Sequence, residues 1–328
     1  GFSSRWIDVY ENHGKRSGGY SRHVYGCHPY VLMSYTDSLD SVLTLAHEMG
    51  HSLHSWYSDH AQPPAYAGYT IFVAEVASTC NEALLMQHLL KKTEDKKTRA
   101  YLINYFLEQF RTTLYRQTMF AEFELMINEE VAKGGSLTAE GLNKMYHDLN
   151  VFYYGEDVVV DSLIDREWAR IPHFYYNYYV FQYATGFSAA MALSKRILEE
   201  GEGAVKDYLA FLSGGCSKDP ISLLRGAGVD MRTADPVHSA LALFDSLLDE
   251  MEELQEQLPK GMELMKDAKE QLQKLREEKR LIRQIKRMDQ EHLATYEFAH
   301  PIQRKNPEQT RSEIRNRKKG DRQWKPRL

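Results

Sequence analysis

His47 and His51 stand four residues apart in the run His47-Glu48-Met49-Gly50-His51. One helical turn separates such positions, so an α-helix brings both side chains to one face with their Cβ atoms about 6 Å apart. An extended or irregular backbone would scatter them. The flanks agree with a helix: Ser38 or Asp40 can cap it, and Val42, Leu45, Ala46, Met49 and Leu53 recur at three- and four-residue spacing. Two imidazoles so placed suit a tetrahedral metal. Glu48, one residue past the first, can carry a proton for an attacking water. The competing account is a helix with two surface histidines, because the pattern is short.

A second helix is expected from about Ile71 to Leu90, and it carries Glu75 within Phe72-Val73-Ala74-Glu75-Val76-Ala77-Ser78. A carboxylate among small and apolar residues is costly unless it is paired or binds a metal. Glu75 is therefore the expected third ligand of a His2Glu site for one Zn2+ per chain, with a fourth position open to water. The alternative is a buried carboxylate paired with Arg or Lys. Glu82, two turns on, is either an acceptor for a ligand imidazole or an ordinary surface carboxylate. Farther along, Tyr176, Tyr179 and Tyr183 fall at i, i+3 and i+7 with His173 one turn ahead. Neutral donors beside a metal stabilise charge on a carbonyl oxygen, a role expected of His173 and Tyr183. An aromatic core stripe is the plainer account, and it is the one expected of Phe181 and Phe187.

The rest of the chain reads as mostly α. Tyr30-Val31-Leu32-Met33 follows Pro29 and is expected to be a short edge strand. Further helices are expected over about 98–132, 136–149, 176–200, from Gly203, and over 237–254. Beyond 254 the character changes. Met265, Ala268, Leu272, Leu275, Lys279 and Ile282 take heptad spacing in a Lys/Glu/Gln-rich background. The expected organisation is a catalytic domain at 1–254, a charged helical or coiled-coil-like extension at 255–300, and a basic disordered tail at 301–328. That tail holds ten Lys or Arg against three Asp or Glu, so with a whole-chain charge of −5 the first 300 residues carry −12. An acidic body excludes the usual footprint of a nucleic-acid-binding domain. No apolar run reaches the length of a membrane span. Three cysteines, Cys27, Cys80 and Cys216, far apart and odd in number, fit a reduced, cytoplasmic compartment. The chain opens at Gly1 rather than Met, and upstream sequence is expected to be missing.

Several blocks together resemble the oligoendopeptidase F group of the thimet-type zinc metallopeptidases. They are Gly18-Gly19-Tyr20-Ser21, His28 to Met33, Thr44 to His54, Ile71 to Leu85, Arg116 to Glu124 and Pro172 to Gly186. The resemblance covers roughly residues 1–250. It implies a zincin-type, mostly helical catalytic domain forming one wall of a deep channel that admits short, unstructured peptides. It also implies zinc on His47, His51 and Glu75, catalysis by Glu48, oxyanion stabilisation by His173 and Tyr183, and substrate contacts from Tyr176 and Tyr179. Family members are about twice as long, and the N-terminal half that forms the opposite channel wall is a missing partner here.

The expected function is thus a zinc endopeptidase acting on oligopeptides. The substrate is expected to lie antiparallel to the Tyr30–Ser34 strand, under a loop made flexible by Gly18 and Gly19 and including Tyr20. Two rivals stand beside it. One is a zinc exopeptidase with the same site and a blocked channel. The other is an inactive zinc-binding half-protein that serves as an interaction module.

Overall fold

The computed structural model describes residues 4–155 and 157–257. The heptad-spaced run and the basic tail lie outside the described residues. Three strands come first: β1 (Ile7–Tyr10), β2 (Gly19–Arg22) and β3 (Tyr30–Tyr35), in the order β1-β3-β2. β3 pairs parallel with β1 and antiparallel with β2, with Tyr20 opposite Leu32. Helices follow: α1 (Leu39–Ala61), the short α2 (Pro64–Ala67), α3 (Ile71–Lys92) and α4 (Lys96–Gln109). A π-helical turn at Phe110–Tyr115 joins α4 to α5 (Arg116–Ala132), and α6 (Ala139–Tyr154) comes next. Two 3-10 turns, Ile164–Arg170 and Pro172–Tyr175, lead into α7 (Phe181–Glu200), α8 (Glu202–Leu212), α9 (Pro220–Gly226) and α10 (Asp235–Gln257). No helix among the described residues is long and apolar enough to cross a membrane.

The layers run from the sheet to α1, then α3, then α7, with α10 against α7 and α4. A large apolar core joins Val73, Val76 and Met86 of α3 to Phe187 and Leu193 of α7 and Leu247 of α10. A second core lies between α5 and α6, with Phe120, Phe123 and Tyr146 at its centre and Val180 at its edge.

α1 departs from the amphipathic pattern read from the sequence. Ser38 does cap it, its hydroxyl accepting the Ser41 N–H. Yet its buried side is Leu43, Gly50, Ser52, His54, Ser55 and Ser58, whereas Val42, Leu45, Ala46 and Met49 are half-buried and Leu53 is exposed. The cause is close packing on both sides. A Cβ on Gly50 would lie 2.6 Å from the Cα of Ser78 and 2.8 Å from the Ala77 carbonyl oxygen, so α1 and α3 touch backbone to backbone. Small and hydroxylic side chains fill such an interface, and the larger apolar ones are turned away from it. Leu43 and His54 are the large exceptions; His54 stacks on Tyr69 at 3.7 Å between ring centroids, and burial pushes its pKa down to about 3 and keeps it neutral.

Three further expectations change. Tyr30–Met33 forms a strand, but a central one. Pro29 precedes it, where a missing N–H costs no ladder bond, so β2 is the edge beside α1. The helix expected from Tyr176 begins at Phe181, because Asn177 and Tyr178 have φ of 58° and 52°, in the left-handed region. Phe181 is consequently exposed at the helix start rather than in the core, while Phe187 is buried as expected.

Gly50→Ala should destabilise the fold by about 1–3 kcal/mol, since the added methyl meets backbone on α3 that cannot swing aside. Urea unfolding measures this, and an unchanged midpoint would mean that α1 and α3 separate freely.

Candidate metal centre

His47 and His51 leave α1 one turn apart, their rings edge to face at 4.8 Å between centroids. α3, held against α1 at Gly50, delivers Glu75 to both. Its Oε2 lies 3.2 Å from His47 Nε2 and 3.5 Å from His51 Nε2. One donor atom from each of the three residues lies within 4.8 Å of the others. A tetrahedral ion with bonds of about 2.0–2.2 Å keeps its donors about 3.3–3.6 Å apart, and the two Glu75–imidazole contacts match that spacing, so the donor set fits zinc. The charge balance agrees. Burial lowers the His47 pKa, but hydrogen bonds with Glu75 and Glu82 outweigh it and push it up to about 10. Burial raises Glu75, and its bonds with His47 and His51 bring it well below the usual carboxylate range. The cluster is built to hold positive charge.

A chain of hydrogen bonds orients the first imidazole. His47 Nδ1 lies 2.5 Å from Glu82 Oε1, and the Gln109 side-chain amide donates to Glu82 Oε2 at 2.9 Å. Of the two accounts of Glu82, the hydrogen-bond acceptor is the one the geometry matches. On α3 the Ser78 hydroxyl donates to the Glu75 carbonyl and reaches its Oε2 at 3.2 Å. Asn81 donates to the Ala46 carbonyl oxygen at 2.7 Å and ties α3 to α1 beside His47.

Glu48 projects from the same helix toward the sheet and is only 6% exposed. Burial pushes its pKa up, while His47, His51 and a bond from the Ser21 backbone N–H pull it back only in part. β2 reaches it because Gly19 has no side chain. A Cβ there would lie 2.7 Å from Met33 Sδ and 3.2 Å from Glu48 Cγ. Antiparallel pairing turns alternate residues inward, and the Ser34 N–H bonds the Gly18 carbonyl. Gly19 and Ser21 therefore present their backbone groups to the open edge. Tyr20 is exposed and alternates away from Ser21, whose hydroxyl faces Ser52 at 3.0 Å, so the fold does not bring the Tyr20 side chain to the cluster.

His173, Tyr176, Tyr179 and Tyr183 do come together, although not along one helical face. Tyr179 stacks on His173 at 5.4 Å, Tyr176 meets it edge-on at 5.9 Å, and the Tyr183 hydroxyl lies 3.2 Å from His173 Nε2. Tyr183 then lines a 250 Å³ cleft together with His47, Glu75, Thr79, Glu82, Gln109, Thr113 and Phe187. Tyr176 is 63% exposed at the outer end of this aromatic group. Gln109, Ser78 and the Ser21 N–H carried no sequence signal. Ser78 at i+3 from Glu75 is a spacing that a helix makes meaningful, whereas Gln109 and Ser21 are joined to the site by tertiary structure alone.

A family model described as peptidase family M3 matches residues 1–243. The chain is 54% identical over 254 residues to oligopeptidase PepF of Bacillus subtilis (strain 168), covering 77% of this chain and 38% of that protein. It is 47% identical over 263 residues to the chromosomal oligoendopeptidase F of Lactococcus lactis subsp. cremoris, covering 80% and 43%. Among solved structures, a putative peptidase from Chlamydophila abortus superposes with a TM-score of 0.71 at 44% identity, over 76% of this chain and 42% of that one. Oligoendopeptidase-F from Enterococcus faecium gives a TM-score of 0.61 at 48% identity, over 67% and 40%. The chain thus spans about two-fifths of the length of the curated relatives it matches.

Glu75→Ala should abolish stoichiometric zinc binding, and Glu82→Ala should weaken it about 10- to 100-fold. His47 keeps its proton at neutral pH and must release it to bind a metal. Zinc affinity should therefore rise about tenfold per pH unit between about pH 6 and 8. Calorimetric titration reads all three, and pH-independent affinity would mean that His47 holds no proton at neutral pH in the metal-free protein.

Proposed function

Because the chain belongs to peptidase family M3, we propose that it is a zinc-dependent endopeptidase that cleaves short, unstructured oligopeptides. His47, His51 and Glu75 hold the metal in this reading. Bound there, zinc supplies Lewis-acid polarisation of the scissile carbonyl and makes water more acidic. Glu48 is the general base: it takes a proton from the attacking water and hands it to the leaving amine nitrogen. Its burial, and the pKa raised by that burial, suit a group that must both accept and return a proton. Tyr183 and His173 donate hydrogen bonds to the carbonyl oxygen as it gains charge. Tyr176 and Tyr179 flank His173 and would meet the substrate's side chains.

The peptide's place is the open edge of β2, not the Tyr30–Ser34 strand, both of whose edges are paired. Gly19 offers free backbone groups there, next to Glu48, and an extended peptide adding as a strand would pass the metal cluster. Gly18 and Gly19 let this segment adjust around it. A cytoplasmic setting suits Cys27, Cys80 and Cys216, all of them free. An N-terminal half of the same fold is the proposed partner that supplies the opposite channel wall.

The observation that carries this reading is that the cleft lined by His47 and Glu75 is also lined by Tyr183, with Glu48 buried beside the same histidines. A quenched peptide cleaved internally, with chelator-sensitive turnover and products identified by mass, is the test. Release of terminal residues alone would favour the exopeptidase, and zinc binding without turnover would favour the metal-binding module.

Glu48→Gln should retain stoichiometric zinc and lose nearly all turnover; loss of zinc in this variant would reassign Glu48 as a ligand. Tyr183→Phe should lower kcat on the order of 10²-fold with little change in KM. Equal kinetics in variant and parent would return Tyr183 to a packing role.

A further inference from the structure

Glu124 lies on α5 and is 1% exposed, yet among the described residues no Lys or Arg pairs with it. Its carboxylate instead accepts hydrogen bonds from the backbone N–H groups of Tyr178 and Tyr179. Those are neighbours in the segment where Asn177 and Tyr178 both take left-handed φ values. Apart from Arg5, these are the positive-φ residues other than glycine among the described residues. A side chain in this region is strained, most of all one as bulky as Tyr178, and such a conformation persists only where its surroundings impose it. Successive backbone N–H groups turned to one side form an anion-binding concavity. Here the anion is built into the protein.

What this segment carries gives the arrangement its meaning. Tyr179 follows immediately and stacks on His173, and His173 meets the Tyr183 hydroxyl. Val180, fully buried in the second core, pins the far end. Between Val180 and the turn at Pro172–Tyr175, Gln182 of α7 holds the Tyr179 carbonyl with its side-chain amide at 3.1 Å, and Glu124 reaches the backbone N–H side from α5.

We propose that Glu124 is a positioning residue that holds Asn177 and Tyr178 in their left-handed conformation and so keeps His173 against Tyr183, which lines the cleft. This rests on the reading of that pair as donors to the substrate. Glutamine at 124 keeps the size and removes the charge, so the bond from the Tyr178 N–H is weakened from a charge-assisted to a neutral one.

The test compares the parent with Glu124→Gln, Tyr178→Val and the double variant Glu124→Gln/Tyr178→Gly. Amide exchange across residues 176–180, zinc content, kcat and KM are measured for each. In Glu124→Gln, exchange in this segment should quicken by about tenfold or more. Its kcat should fall about tenfold, with KM and zinc content nearly unchanged. Glycine removes the cost of the left-handed backbone, so the double variant should recover most of both losses. Tyr178→Val opposes the same conformation from the loop's side, at an exposed position that folding tolerates, and should reproduce the effect if Glu124→Gln fails to fold. Unchanged exchange in either single variant, faster exchange with unchanged kcat, or a double variant no better than Glu124→Gln would overturn the proposal. A parent without peptidase activity would sink the functional reading of the pair, and the exchange rates would still decide whether Glu124 is the clamp.

Discussion

The backbone contact between α1 and α3 at Gly50 sets the scale of everything around the candidate metal centre. Two helices separated by ordinary side chains stand 8–10 Å apart at their axes. A single carboxylate can meet two imidazoles of the facing helix at 3.2 and 3.5 Å when that gap is narrowed. The same narrowing explains why α1 buries serines and a histidine, and why Asn81 can reach the Ala46 carbonyl. Stability therefore comes mainly from the layers beyond, where α3 meets α7 and α10 across a conventional apolar core.

Around that contact the polar groups are arranged in series. Gln109 holds Glu82, Glu82 holds His47, and Glu75 bridges His47 and His51. Each carboxylate is satisfied on more than one side, which offsets the cost of removing it from water. Glu48 stands apart, with one backbone donor from β2 and no cation of its own beyond the two histidines. That difference separates groups that hold charge from a group poised to exchange a proton.

The parts legible in the sequence were those set by local spacing. The four-residue interval of His47 and His51, the capping serine, and Glu75 and Glu82 on a continuous helix all follow from one-turn arithmetic. The buried face of α1 was legible only at Leu43, because hydrophobic periodicity assumes that large apolar residues go inward, and at the Gly50 contact there is no room for them. The tyrosines at 176, 179 and 183 mimicked helical spacing and do converge. Their convergence comes from a strained turn that Asn177 and Tyr178 do not announce. Pro29 suggested an edge because it lacks a donor, but at the residue before a strand that lack carries no penalty. Strand order depends on β1 and on pairing partners that no local pattern encodes. Glu124 sits in Glu122-Phe123-Glu124-Leu125-Met126, where Glu122 carries the same signal of a carboxylate beside apolar residues, so the argument that singled out Glu75 does not choose between the two.

The π-helical turn at Phe110–Tyr115 has a consequence for how this protein can vary. A π turn accommodates a residue more than the α-helix it interrupts, and each added residue rotates all that follows by about 100°. Gln109 lies just before the turn and Glu124 lies beyond it. One faces the metal cluster through Glu82, and the other faces the Tyr178 loop. The two are phased by that single irregularity, like two cams cut on one shaft. Deleting one residue from the turn would make a more regular helix and would leave every side chain chemically intact. It would also swing α5 so that one of the two carboxylate connections loses its target.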